Sequence, residues 1–136
     1  MTVGTVSASL PSVSTDSVFL AGCPSRTVLE HVTSKWGLLL LIALSEGEQR
    51  WSALRRRADG ISEKMLAQTL KTLERDGLVS RHAQLTIPAR VDYSLTDRGH
   101  ELSALLVPLA AWAIQNAGDI ISGQDTTAAG PAGSHD

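Results

Sequence analysis

The stretch Ser52–Arg75, "SALRRRADGISEKMLAQTLKTLER", carries two helix-forming segments separated only by Asp59, Gly60, Ile61 and Ser62. Asp-Gly breaks the first segment, since glycine adopts turn conformations at little steric cost. Ser62 can cap the second by accepting a backbone N–H of its first turn. So short a glycine-containing connection is the turn that a closely joined pair of helices needs. In the second segment Met65, Leu66, Leu70 and Leu73 line one side at helical spacing, with Lys64, Gln68, Lys71 and Arg75 together on the other. Such a helix buries leucines and presents amines, an amide and a guanidinium.

Charge sharpens the question of what that outer stripe meets. The 136-residue chain has a formal net charge of −2, which argues against a polyanionic partner. Its distribution argues the other way. From Arg50 to Arg90 the balance is +5, and the remainder of the chain carries −7. A basic centre between acidic ends points to one surface suited to a polyanion.

The flanking segments complete an order of elements. "CPSRTVLEHV" opens with Pro24, suited to a first helical turn. "SKWGLLLLIALSEG" follows, a helix expected to be buried nearly all round, with Trp36, Leu39, Leu40, Ala43 and Leu44 in helical register. "QRW" reads as an extended link, and Ser52 as the cap of the short Arg-rich helix. "LVSRHA" and "RVDYSL" have strand character, with Pro88 in the loop between them. Thr96 is expected to cap a last helix, kinked at Pro108, on which Leu102, Leu105, Leu106, Leu109 and Trp112 recur at spacings of three and four. Helix, helix, turn, helix, hairpin, helix is the order of a winged helix-turn-helix: mainly α with a small β-hairpin wing. Residues 1–22 are expected to form a flexible N-terminal tail, 23–121 the folded domain and 122–136 a disordered C-terminal tail.

The segments "CPSRTVLE", "SKWGLLLLIAL", "RWSALRRRADGISEKMLAQTLKTLERDGLVSR", "IPARVDYSLTDRG" and "LAAW" stand in the order and spacing of the HxlR-type winged-helix transcriptional regulators, relatives of the MarR group. The chain resembles that family from Cys23 to about Ile121. The resemblance implies a homodimer, held by the N- and C-terminal helices, on a palindromic operator in double-stranded DNA. Two departures stand out: the wing has one proline in "IPAR" where two are common, and Gly37 follows "KW". With or without the resemblance, the exposed side chains suit DNA. Gln68 can read a base edge, while Lys64, Lys71 and Arg75 can read guanine or neutralise phosphate. Ser62 and the free N–H groups at its helix start suit a phosphate. Arg55 and Arg56 before that helix, and Arg90 in the wing, extend the same surface. Leu102, Leu105, Leu106, Leu109 and Trp112 form a stripe too long for one small domain to cover, and are expected to meet a second subunit.

Cys23, the only cysteine, allows no intrachain disulfide. It stands at a helix start, where the dipole and nearby Arg26 favour thiolate. The family resemblance adds that cysteines at this position often sense oxidants or electrophiles. "FLAGC" matches a lipoprotein cleavage motif, but Asp16 interrupts the apolar run a leader needs, and no Lys or Arg precedes Arg26. A cytoplasmic protein with no membrane partner is expected. His31, His82, His100 and His135 have no metal-like spacing. Asp97 and Glu101 read as helix surface, and Trp36, Trp51 and Trp112 as core. No nucleophile motif or phosphate loop appears, so neither an enzyme nor a cofactor is expected. The alternatives are a repressor released by a small-molecule effector bound in a Leu-rich cleft, and a winged helix used as a protein-interaction module.

Overall fold

The computed structural model describes residues 14–128, and side chains through residue 124. A single 3-10 turn, Asp16–Phe19, precedes α1 (Pro24–Thr33), α2 (Lys35–Leu44), β1 (Gln49–Arg50), α3 (Trp51–Arg57), α4 (Glu63–Arg75), β2 (Val79–Gln84), β3 (Arg90–Leu95) and α5 (Asp97–Ala128). The three strands form one antiparallel sheet in the order β1-β3-β2. The chain is thus mostly helical with a small sheet, the winged helix-turn-helix its sequence suggests.

The core forms where the leucine faces converge. Leu40, Leu41 and Leu44 of α2, Leu54 of α3, Leu66, Leu70 and Leu73 of α4 and Val79 of β2 are all fully enclosed. Tyr93 and Leu95 of β3 and Leu106 of α5 close the cluster. Ala58 and Ile61, on either side of the Asp59-Gly60 turn, point into it as well. The turn is therefore pinned from inside, and Gly60 supplies the positive φ of 92° it needs. Ser62 caps α4, its Oγ accepting the Met65 N–H at 3.0 Å. Thr96 caps α5 by accepting from the Gly99 N–H at 3.0 Å, and donates to the Gly77 carbonyl at 2.6 Å. One residue thereby starts the last helix and anchors it to the end of α4.

Several expectations are corrected. Ser52 caps nothing: Arg50 pairs with Asp92 in the sheet, and α3 starts directly from that strand at Trp51. Met65 lies outside the leucine face of α4, and Leu39 is exposed on α2. Trp112 is 56% exposed rather than core, because α5 has by then run past the domain that buries its first turns. α5 does not stop near Ile121. It continues as one element through Pro108 to Ala128, so the first part of the expected C-terminal tail is helical, and residues 129–136 lie outside the described residues. Of the expected N-terminal tail, 1–13 also lie outside them, and Asp16–Phe19 form the 3-10 turn. Gly37, one of the departures in sequence, sits where α2 crosses the end of α1. A Cβ there would lie 2.3 Å from the His31 carbonyl oxygen.

Candidate nucleic-acid interface

α4 is built to show one face and bury the other. Its buried side rests on α2, and Lys64, Gln68, Lys71 and Arg75 are exposed on the opposite side. Among the described residues none of these four side chains is tied to an internal partner, so all remain available to a ligand. Ser62 sets the N-terminal end of this stripe, where the helix carries partial positive charge. α3 crosses before it, in the arrangement that places the second helix of such a pair in the DNA major groove.

The flanking arginines are less uniform. Arg56 is exposed with no internal ion pair among the described residues. Arg55 instead reaches Glu63, at the start of α4, at 2.5 Å, and Arg57 pairs with Glu46. That pair holds the Glu46 carboxyl below its ordinary range, first through the Arg57 hydrogen bond, and raises the Arg57 guanidinium correspondingly. In the wing, Arg90 Nε donates to Asp92 at 3.2 Å, and its terminal nitrogens make no internal bond among the described residues. The α4 stripe thus presents three cations and an amide, with Ser62 at its N-terminal end.

A family model described as HxlR-like helix-turn-helix matches residues 31–120. The chain belongs to the HxlR-like helix-turn-helix family. It is 48% identical over 112 residues to an uncharacterized HTH-type transcriptional regulator, YtfH, of Escherichia coli K12, covering 82% of this chain and 89% of that one. The solved structure of the Salmonella typhimurium protein ytfH, described as a transcriptional regulator, superposes with a TM-score of 0.75 at 46% identity, covering 79% of this chain and 96% of that one. The redox regulator HypR in its oxidized form aligns with a TM-score of 0.64 at 32% identity, over 69% of this chain and 97% of that one. This HxlR-like chain is accordingly a DNA-binding transcriptional regulator.

Away from the α4 stripe, this HxlR-like protein places Cys23 as the N-cap of α1, half-buried. Its thiol pKa is lowered, chiefly by the Ser25 backbone N–H, then by the Arg26 backbone N–H and the Ser17 and Ser25 side chains, against an opposing contribution from burial. The Arg26 side chain is not the cause: its guanidinium donates to the Phe19 carbonyl and pairs with Glu30. Leu102, Leu105, Leu106, Leu109 and Trp112 do not form a single outward stripe. Leu106 is 7% exposed and Leu102 packs against the same core, whereas Leu105, Leu109 and Trp112 face outward. Phe19, Leu20, Val28 and Leu29, on and before α1, are also exposed. The segment Asp97–Gln124 is long and apolar enough by composition to cross a membrane, although its first turns belong to the domain core.

One contact escaped sequence reasoning. His31 Nδ1 of α1 lies 2.7 Å from Asp76 Oδ2, at the C-cap of α4. Forty-five positions separate the two residues, and no local pattern signals such a pair. It ties the helix that begins at Cys23 to the end of the helix that carries the cationic stripe.

Proposed function

We propose that the chain is a sequence-specific operator-binding homodimer, with α4 in the major groove and Cys23 as an oxidant- or electrophile-responsive group. The observation that carries this reading is the exposed stripe Lys64, Gln68, Lys71 and Arg75 on a capped helix of a helix-turn-helix. Gln68 is the base reader, Lys64 reads guanine or phosphate, and Ser62, Lys71, Arg75, Arg55, Arg56 and Arg90 hold the backbone. Phosphate contacts fix register, and contacts to base edges supply sequence choice.

The homodimer reading is supported by the exposed apolar residues of α5 together with those on and before α1. A symmetric pair covers the same patch on both subunits and sets the two recognition helices about 34 Å apart, one DNA turn. The cytoplasm, where operators are, is the matching location, and α5 then needs no membrane. The redox reading is supported by the lowered thiol pKa of Cys23 and by the likeness to HypR. Oxidation of the thiolate gives a sulfenic acid, which condenses with a second thiol to form a disulfide and release water. With one cysteine per chain, that thiol is the partner subunit's Cys23 or a small-molecule thiol. The His31–Asp76 contact then carries a shift of α1 to α4.

Nuclease footprinting on the DNA flanking the gene, repeated over a salt series, tests the reading. A protected palindrome whose affinity falls steeply with salt, by about 0.9 log units per log unit of salt for each phosphate neutralised, is the expected result. No protected site, or one indifferent to salt, contradicts it.

A further inference from the structure

β1 gives the sheet only Gln49 and Arg50, which pair with Tyr93 and Asp92. At Trp51 the chain turns into α3, so Arg90 and Val91 of β3 have no strand beside them on that edge. The gap is a cleft of about 360 Å³ lined by Arg50, Trp51, Ser52, Ala89, Arg90 and Val91. Two of its six lining residues are arginines, and none is an acid.

The acid behind it is already committed. Asp92 is only 3% exposed, on the central strand, and accepts from Gln84 Nε2 at 2.6 Å and from Arg90 Nε at 3.2 Å. The register puts Arg50, Asp92 and His82 opposite one another on one face of the sheet. Nε is the inner nitrogen of the guanidinium. Binding it fixes the plane of the group and leaves the two terminal nitrogens for a second oxyanion. Arg50 is exposed and, among the described residues, has no internal partner for its side chain. A fixed guanidinium also loses less freedom on binding than a wandering one.

We infer that the cleft between Arg50 and Arg90 seats one backbone phosphate of the DNA, with Asp92 as the residue that positions Arg90. This rests on the reading above, in which α4 occupies the groove with the wing beside it. Asp92 acts on DNA in two opposing ways. As a negative charge it weakens attraction to phosphate, and as an anchor it strengthens attraction by aiming Arg90. The seat requires that the second effect wins.

The test is the slope of log affinity against log salt, read by fluorescence anisotropy of the full chain on a labelled operator duplex. Arg50→Gln flattens the slope by up to about 0.9 per bound subunit, Arg90 still facing the same phosphate. Asp92→Ala flattens it as well, although it removes a negative charge, whereas Asp92→Asn keeps an oxygen toward Arg90 Nε and retains the wild-type slope. A slope that steepens or stays unchanged in Asp92→Ala makes Asp92 a mere neighbouring charge and overturns its positioning role. An unchanged slope in Arg50→Gln overturns the seat. Should Asp92→Ala fail to fold, the exposed Arg50 decides the matter alone. Lys71→Ala separates the two levels: if it flattens the slope while Arg50→Gln does not, only the seat fails. If neither does, the placement of α4 on DNA fails with it.

Discussion

Replacing Trp112 and Leu106 by alanine, one at a time, separates the two faces of α5. Trp112 is 56% exposed, while Leu106 is 7% exposed within the core. An enclosed tryptophan buries roughly 150–250 Å², so on the order of 100 Å² of this one remains for a partner. At about 25 cal/mol per Å² that corresponds to about 2.5 kcal/mol per subunit, or about 5 kcal/mol where two symmetric copies each lose it. If ordering and imperfect fit offset half of this, about 2.5 kcal/mol survives, nearly two decades in the dimer dissociation constant. Leu106→Ala belongs to another class. It opens a cavity beside the core leucines and costs about 2–5 kcal/mol of folding stability. Sedimentation velocity over a concentration series reads the first effect, and urea unfolding reads the second. Trp112→Ala is expected to dissociate at concentrations where the wild type is dimeric, with little lost in chemical stability of the subunit. A Trp112→Ala protein that stays dimeric while unfolding at lower urea, as a core variant does, refutes the division of α5 into an inner and an outer face.

The other predictions concern the caps, the thiol and the interhelix contact. Ser62→Ala removes the acceptor for the Met65 N–H, and is expected to cost about 1 kcal/mol in urea unfolding and to weaken DNA binding; a variant unchanged in both leaves the cap without a role. Because the Cys23 pKa is lowered in the fold, its thiolate persists to lower pH than in the unfolded chain. The pH midpoint of its alkylation by iodoacetamide should therefore lie below that of the urea-denatured protein, and equal midpoints would remove the basis for sensing. Diamide is expected to change operator affinity in the wild type and not in Cys23→Ser, as read by gel shift; identical responses place the signal elsewhere. His31→Ala breaks the contact to Asp76 and should cost about 1 kcal/mol of stability while blunting the diamide response. A full response in that variant would show that α1 and α4 communicate by another route.

Much of the fold was written in local patterns. The Asp59-Gly60 break, the Ser62 and Thr96 caps and the buried leucines Leu40, Leu44, Leu66, Leu70 and Leu73 each follow from signals within a few residues and are where the sequence indicates, unlike Leu39 and Met65. What could not be read depended on the third dimension. Trp112 and Leu106 lie on the same apolar helix, and only the position of the domain beside α5 decides that one is covered and the other is not. Ser52 looked like a cap until the pairing of Arg50 with Asp92 fixed where α3 begins. The same holds for charge: nine cations between Arg50 and Arg90 announced a basic surface, but the internal partners of Arg55, Arg57 and Arg90 appear only once the chain is folded. The helix past Ile121 is not legible in sequence because Gly118, Gly123 and several small polar residues disfavour helix locally.

Whether the outer face of α4 reads bases comes down to one ratio. The affinity of the wild type and of Gln68→Ala is to be measured for the footprinted operator and for a random duplex of equal length, at one salt concentration. Gln68 is exposed with a free amide, so its loss should cost about 1–3 kcal/mol on the operator and leave the random duplex nearly unaffected. The specificity ratio then falls by about tenfold or more. If operator and random duplex weaken alike, or neither weakens, Gln68 does not touch the bases, and the assignment of α4 as the reading element is contradicted.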